Sequence, residues 1–320
     1  MARTPIPDAT LKGYFAEGQR QNRCLSSQDF TNPVWVSGGG GIAVTPNTAV
    51  APDGTTTADT LTASGANGTL IQDLGVVASA AKAGGMWLKR KTGTGNIDLT
   101  LDGGSTWTTV AVTSDWLPLE KTQTLADEDF GIRIVTSGDA VYAWTAQVET
   151  ATFISSPIPT TTAAVTRNGD VLTYASSGNF SGTVGTVYIE AATYQPSPVP
   201  TQVSLITTGS GSDGIIADLA AGVATTLRSR DGTNVLSATG LPILGAAMTK
   251  NAVRWGTDMG VTRNGAAVQT SLFDGTHATT SICVGNEASV GNYAIYGSVR
   301  NVRIWPKAFS EAQLVSMTTP

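Results

Sequence analysis

The sequence predicts an all-β protein: two antiparallel β-sandwich (jelly-roll) domains in tandem, preceded by an N-terminal arm. The chain has 320 residues, more than one ordinary hydrophobic core fills, which favours two domains. It is rich in threonine and contains 36 glycines, and only 13% of its residues are charged, so strands and tight turns are favoured over helices. Alternating segments recur about every 10–15 residues, the spacing of an antiparallel sandwich.

Residues 1–25 are predicted to form an arm outside the sandwiches, because they are mixed in character and lack the alternation of a strand. The first 15 residues contain no apolar core of signal-peptide length, so we expect synthesis in the cytoplasm without secretion. No run approaches about 18 apolar residues, so no membrane insertion is expected. Basic residues form no stripe along the chain, which argues against nucleic-acid binding.

The first sandwich is predicted over residues 26–158. Its segments alternate in hydrophobicity and are separated by turn signals such as Pro52-Asp53-Gly54 and the glycine run 38–41. The segments predicted as strands are 32–36, 58–63, 84–91, 96–112 and 130–149.

One hairpin of this domain, residues 100–107, matches the Asp-box pattern S/T-x-D-x-G-x-x-W. In such a turn the Asp side chain caps backbone amides, glycine supplies a positive φ, and the tryptophan packs under the loop. The pattern repeats in sialidase propellers but occurs once here. We therefore interpret it as structural and not as evidence of sialidase activity.

The second sandwich is predicted over residues 159–320, because the stretch 151–170 is rich in Pro, Ser and Thr and has no apolar period. Arg263-Asn264-Gly265 is a hairpin turn of the Asn-Gly type. A short helix begins at the N-cap Ser310. The segments predicted as strands are 170–174, 185–194, 203–209, 214–222, 224–232, 250–269, 280–287 and 296–306.

The second half resembles the concanavalin A-like (laminin G-type) jelly rolls. The resemblance rests on WGTDMGVTRNGAAVQ (255–269), SICVGNEAS (281–289) and the closing stretch IYGSVRNVRIWPKAFSEAQL (295–314). The first half resembles the carbohydrate-binding-module sandwiches of bacteriophage structural proteins, through S-x-x-F-x-x-x-x-W within 26–35 and W-x-x-Q-ϕ-E followed by I-P-T within 144–160.

This tandem resembles a virion fibre, spike or decoration protein of a bacteriophage. The resemblance implies a non-enzymatic structural protein of the virion, made in the host cytoplasm, whose N-terminal arm docks to other virion proteins. It implies a homotrimer, and it implies binding of host cell-surface polysaccharide by the second sandwich, with the first as a further candidate. The alternatives are a purely structural head or tail decoration protein without a ligand, and a glycan depolymerase.

Catalytic groups are scarce. His277, the single histidine, lies in a Gly/Thr loop far from any nucleophile motif, and we interpret it as a loop residue. Cys24 and Cys283 are far apart and are interpreted as isolated thiols. Glu190 stands alone on its strand, whereas glycoside hydrolysis needs two carboxylates; we expect Glu190 either to pair with an arginine or to line a shallow face. These observations predict a protein that is not an enzyme and needs no cofactor.

Aromatic side chains are the remaining candidates for ligand binding, because sugar rings stack on exposed aromatic faces. Four lie in contexts that flank loops and are predicted to contact glycan: Trp87, Trp116, Tyr194 and Tyr293. Four others are predicted to be core residues: Trp35, Trp144, Trp255 and Trp305.

The acidic triplet Asp127-Glu128-Asp129 precedes Phe130 in a context predicted to be a loop. Two interpretations stay open: a solvated turn, or a structural calcium site formed by Asp127 and Asp129, since calcium prefers hard oxygen ligands.

Overall fold

The structure is a computed structural model that describes residues 14–193, 202–208, 213–220, 223–231, 235–239, 247–273, 281–285 and 294–320. The first half forms strands β1 (Tyr14–Ala16), β2 (Arg20–Asn22), β3 (Val36–Gly39), β4 (Ile42–Ala49), β5 (Ala58–Ala63), β6 (Gly68–Thr92), β7 (Ile97–Thr100), β8 (Thr108–Val110), β9 (Leu117–Ile134), β10 (Ala140–Glu149) and β11 (Val165–Arg167). The second half forms β12 (Leu172–Ala175), β13 (Gly185–Thr193), β14 (Gln202–Thr208), β15 (Asp213–Ala220), β16 (Val223–Asp231), β17 (Val235–Ala238), β18 (Thr249–Trp255), β19 (Met259–Arg263), β20 (Gln269–Ser271), β21 (Ser281–Val284), β22 (Gly297–Trp305) and the helix α1 (Glu311–Thr318). The predicted all-β class is confirmed.

The chain divides into two compact units. Unit 1 holds Arg20–Arg167, and unit 2 holds Asn168–Pro320 together with residues 14–19 of those described.

Unit 1 is built on one curled antiparallel sheet of eight strands, in the order β4-β5-β10-β6-β9-β7-β8, with β3 also paired to β6. β6 and β9 pair from Gly68↔Ile134 to Leu88↔Leu117, with register shifts between Asp73 and Ala80. These long strands run through both layers of the sandwich, so the two halves of the sheet enclose a core of side chains such as Leu61, Met86, Leu99, Phe130 and Val141.

Unit 2 contains two six-stranded sheets, ordered β1-β22-β13-β18-β19-β20 and β12-β21-β14-β15-β16-β17. Their facing sides enclose a second apolar core that includes Val187, Ile189, Trp255 and Ile282. The helix α1 packs against β18 and β19. Its N-terminus is the predicted one: Ser310 and Gln313 form a capping box, which satisfies amides that the first turn leaves without partners.

Part of the segment predicted as an arm, residues 1–25, forms strands in the structure. β1 pairs with β22 of unit 2 through Tyr14↔Val299, and β2 pairs with β11 of unit 1 through Gln21↔Thr166. Ala16 is fully buried in the core of unit 2. Residues 1–13 of the predicted arm lie outside the described residues.

Three of the four tryptophans predicted as core residues are buried: Trp35, Trp144 and Trp255 are each at most 5% exposed. A buried indole N–H needs a hydrogen-bond partner. The Nε1 atom of Trp35 donates to Ser26 O at 3.2 Å, and that of Trp255 donates to Ser181 O at 2.9 Å.

Candidate functional site

An aromatic face lies on the outer side of the curled sheet of unit 1. We define it by Trp87, Trp116, Tyr142 and Trp144. In β6, Met86 and Leu88 face the core, so Trp87 between them faces outward. Trp87 and Trp144 are cross-strand partners whose ring centroids lie 6.4 Å apart. The rings of Trp116 and Tyr142 are 6.5 Å apart.

The loop between β4 and β5 fixes two of these rings. Trp116 Nε1 donates to Val50 O at 3.1 Å, and Trp144 Nε1 donates to Thr57 Oγ1 at 3.2 Å. Trp144 is buried, whereas Trp87 and Trp116 are half-buried. Because the indole N–H groups of Trp116 and Trp144 are bonded to the protein, the exposed part of the face offers mainly ring surface to a ligand.

Two lysines extend the aromatic face along β6, because Lys89 and Lys91 follow Trp87 at the two-residue period of a strand. Lys91 Nζ lies 5.3 Å from the ring centroid of Tyr142 and donates to Thr60 Oγ1 at 3.2 Å. Lys89 is the register partner of Tyr142. The face therefore combines ring surface with positive charge.

Two of the four aromatic residues predicted to contact glycan, Trp87 and Trp116, are thus brought onto one face. The other two, Tyr194 and Tyr293, lie outside the described residues. Sequence reasoning missed Tyr142, although its place two residues before Trp144 on an alternating strand was a usable signal.

The hairpin at residues 100–107 has the predicted Asp-box geometry. Asp102 accepts hydrogen bonds from Thr106 N (2.8 Å), Thr106 Oγ1 (2.6 Å), Thr100 Oγ1 (2.8 Å) and Gln123 Nε2 (2.9 Å). Burial opposes ionisation of the carboxyl, but these hydrogen bonds outweigh it and hold the pKa of Asp102 below its ordinary value. Trp107 packs beneath the guanidinium of Arg133, with Cζ 4.5 Å from the ring centroid. The motif organises the turn.

The acidic triplet lies within β9 and not in the loop that the sequence predicted, because β9 continues through residues 117–134. Glu128 is fully buried and binds Lys82 Nζ at 2.6 Å and Arg23 Nε at 3.1 Å. Asp127 and Asp129 meet Asp73 of β6, with carboxylate oxygens within 4.8 Å of one another. Burial, and next the charges of Asp73 and Asp127, raise the pKa of Asp129.

Three carboxylates at this separation match the hard oxygen ligands that calcium prefers. The calcium site predicted at Asp127 and Asp129 would thus gain Asp73 as a third ligand. Calcium binding stays a prediction.

Glu190 of unit 2 has the arginine partner that was expected. Its carboxylate accepts from Arg300 Nε at 2.5 Å, Asn301 Nδ2 at 2.9 Å and Tyr188 Oη at 2.8 Å. Burial opposes ionisation, but these bonds lower the pKa of Glu190 below its ordinary value. A carboxylate held ionised in this way is poorly suited to act as a general acid.

Cys24 and Cys283 are both buried free thiols, as expected. Burial raises the pKa of the Cys24 thiol strongly. Within the described part of the chain, no helix is long and apolar enough to cross a membrane.

No known family matches the chain, and no curated protein matches its sequence. Among solved structures, it is similar to the CBM40 domain of the Ruminococcus gnavus IT-sialidase, with 16% identity over 43% of this chain and 84% of that chain and a TM-score of 0.36. It is similar to domains LG4-5 of the mouse laminin alpha1 chain, with 14% identity over 78% and 93% of the two chains and a TM-score of 0.30. It is also similar to the N-terminal tandem CBM22 domains of Paenibacillus barcinonensis Xyn10C. The identity is 12% over 95% of this chain and 100% of that chain, and the TM-score is 0.30.

Proposed function

We propose that this protein binds glycans through the aromatic face of unit 1. The observation that carries the proposal is the convergence of Trp87 and Trp116 with Tyr142 on one outer face, where two indoles are half-buried. Aromatic rings present a flat apolar surface with a negative quadrupole face, which suits the C–H faces of sugar rings.

The lysines of the same face favour an acidic polysaccharide. A carboxylate or sulfate on the glycan would form charge-assisted hydrogen bonds with Lys89 or Lys91. Such contacts at a partly exposed site weaken as salt rises. Binding that depends on these lysines should therefore be sensitive to ionic strength.

We further propose that the protein is a non-enzymatic structural component of a bacteriophage virion that attaches to host cell-surface polysaccharide. This rests on the resemblance of the tandem sandwiches to virion fibre, spike and decoration proteins. Docking to other virion proteins through the N-terminus and assembly as a homotrimer belong to the same proposal. Removing only residues 1–13 leaves β1 and β2 in place, so incorporation of that truncated chain into particles tests the docking directly.

The glycan proposal is tested by binding of the full chain to arrayed acidic and neutral bacterial polysaccharides. Trp87→Ala and Trp116→Ala are each expected to weaken binding roughly tenfold or more, since tryptophans are frequent hot spots. Trp107→Ala is the matched control, because Trp107 is a half-buried tryptophan of unit 1 that lies outside the aromatic face. Lys91→Gln should reduce the preference for acidic over neutral glycans.

Equal binding by the two face variants and the Trp107 control would overturn the placement of the site. Failure of the full chain to bind any polysaccharide would favour the alternative of a decoration protein without a ligand. Release of shortened glycan from the array would favour the depolymerase alternative.

A further inference from the structure

We propose that unit 2 carries an oxyanion site, formed by Arg300 and Arg303 on the outer face of one sheet, that takes a phosphate or sulfate group. The sheet is the one ordered β1-β22-β13-β18-β19-β20. The site is separate from the aromatic face of unit 1 and does not depend on glycan binding there.

The alternation of β13 identifies the outer face of this sheet. Val187, Ile189 and Ala191 pack in the core of unit 2, so Tyr188 and Glu190 between them point outward. Tyr188 Oη donates a hydrogen bond to Glu190 Oε1 at 2.8 Å. The outer face therefore carries a phenol and a carboxylate side by side, next to the neighbouring strand β22.

A β-bulge in β22 places both arginines beside this pair. Tyr188 pairs with Arg303 and Glu190 pairs with Arg300, although the arginines are three positions apart in the sequence. In a regular strand, residues three positions apart face opposite sides of the sheet. The extra residue of the bulge gives them a common face, and Asn301 within it has a φ of 51°, in the left-handed region that non-glycine residues seldom adopt.

The contacts of β22 agree with this placement of the two arginines. Arg300 Nε donates to the outward-facing Glu190 at 2.5 Å. Val302 and Ile304, on either side of Arg303, pack against the core of unit 2. Arg303 between them therefore points to the outer face, as Arg300 does.

The two guanidinium groups are near one another. Their register partners Tyr188 and Glu190 are two residues apart on β13, a distance of about 7 Å along the strand. Burial, and next the bond to Glu190, raise the pKa of the Tyr188 phenol, and the charges of Arg303 and Arg300 both oppose that rise. Both charges thus act on the same hydroxyl group, and one small anion can contact both side chains.

The donors that such an anion needs are free. Among the described residues, no hydrogen bond occupies either Nη atom of Arg300, whose side chain is 40% exposed. Arg303 is exposed, and within the part of the chain that the structure describes it forms no hydrogen bond or ion pair. Glu190 already accepts from Tyr188, Arg300 and Asn301. Two arginines against one carboxylate leave a positive charge that an anion can neutralise.

A tetrahedral oxyanion fits two guanidinium groups better than a carboxylate does. One guanidinium can bind two oxygens through parallel N–H donors, which occupies both oxygens of a carboxylate. A phosphate or sulfate ester has three terminal oxygens, so Arg300 and Arg303 can share it. The free donors of both arginines are then used at once.

Trp305 borders the arginines on the same face. Ile304 packs against the core, so Trp305 lies on the outer side of β22, two residues beyond Arg303. The sequence predicted a core position for Trp305, but the structure leaves it half-buried. A ring surface beside the arginines suits an oxyanion that is carried on a sugar, whereas the arginines alone suffice for the free ion.

The test is calorimetric titration of the full chain with inorganic phosphate, sulfate, methyl sulfate and acetate, together with NMR of the arginine Nε–H groups. We expect saturable binding of phosphate and sulfate that weakens as sodium chloride is added, with shifts at Arg300 and Arg303. Methyl sulfate should bind more tightly than acetate, which has the same charge but fewer terminal oxygens. An absence of saturable binding, equal affinity for methyl sulfate and acetate, or shifts only at other arginines would each overturn the proposal.

Variants separate the site from general attraction by charge. Arg303→Gln should weaken sulfate binding about tenfold or more through loss of a charge-assisted contact. The double variant Glu190→Gln with Arg300→Gln should weaken it similarly, although the net charge of the chain is unchanged. Lys307→Gln is the matched control, because Lys307 is an exposed cation just beyond β22, and it should bind sulfate normally. An equal loss in Lys307→Gln and Arg303→Gln would overturn the site.

Dextran sulfate and unsulfated dextran distinguish the two sources of the oxyanion. This arm uses a chain with Lys89→Gln and Lys91→Gln, so that the lysines of the aromatic face do not contribute. If Trp305→Ala weakens the binding of dextran sulfate but not of free sulfate, the site takes a sugar-borne group; if it changes neither, the site takes the free ion. Binding of dextran sulfate that Arg303→Gln leaves unchanged would count against the site.

Discussion

Replacement of Asp102 by alanine should destabilise unit 1 substantially, although Asp102 has no proposed role in binding. Its carboxylate accepts three hydrogen bonds within the hairpin, including one from the backbone amide of Thr106, and a fourth from Gln123 of β9. A hydrogen bond to a charged group contributes about 1.5–3 kcal/mol, and solvent replaces part of this at a partly exposed turn. We therefore expect Asp102→Ala to cost roughly 2–4 kcal/mol in total, and Asp102→Asn about half of that.

The pH dependence of the unfolding free energy gives a second test of the role of Asp102. Because the pKa of Asp102 is lowered in the folded state, its ionised form stabilises the fold. This contribution is fully present above the unfolded pKa of about 3.9. It is lost as the pH falls through the folded pKa. The difference in unfolding free energy between the wild type and Asp102→Asn should thus be largest near neutral pH and shrink in strong acid.

Urea unfolding, followed by tryptophan fluorescence at pH 7 and at pH 2–3, measures both the loss of unfolding free energy in each variant and its change with pH. Asp53→Asn is the matched control, since Asp53 caps Thr55 in an exposed turn with fewer hydrogen bonds. A loss below about 0.5 kcal/mol for Asp102→Ala, or the same loss at both pH values, would refute the reasoning.

Other predictions concern both units. Calcium should raise the unfolding temperature of chelator-treated protein, because it screens the repulsion among the carboxylates at Asp73 and Asp127. Asp127→Asn should abolish this rise. Equal thermal unfolding midpoints with and without calcium would count against the site. Gly185→Ala should destabilise unit 2 by more than 1 kcal/mol, because a Cβ there would meet Trp255 Cζ2 at 2.2 Å, and a near-neutral value by chemical denaturation would contradict the packing. Ser310→Ala should cost about 1 kcal/mol through loss of the helix cap, whereas Ser310→Asp should restore it.

Local signals explain what could be predicted. The Asn-Gly turn at 264–265 has positive φ at both residues, as the dipeptide indicates, and the Asp-box is complete within eight residues. By contrast, the sequence predicted only residues 84–91 of β6, because residues 74–83 are rich in alanine and valine and show no alternation. Pairing with β9 holds that stretch in the sheet.

The segment 14–22 is a second case in which the local sequence did not predict the strands. Its two three-residue strands lack a hydrophobic period, so the sequence suggested an arm. Each becomes a strand only because an edge in a distant part of the chain supplies its hydrogen bonds: β22 for one and β11 for the other.

The sequence alone determined the all-β class, the main turns, the helix cap and the residue types available for chemistry, because each depends on neighbours within a few positions. Tertiary structure decided which of those residues meet. Trp87, Trp116 and Tyr142 share a face, and Asp73 joins Asp127 and Asp129, only through the registers of β6, β9 and β10. A shift of one residue in any register would turn these side chains to the opposite side of the sheet, and the local sequence does not encode that register.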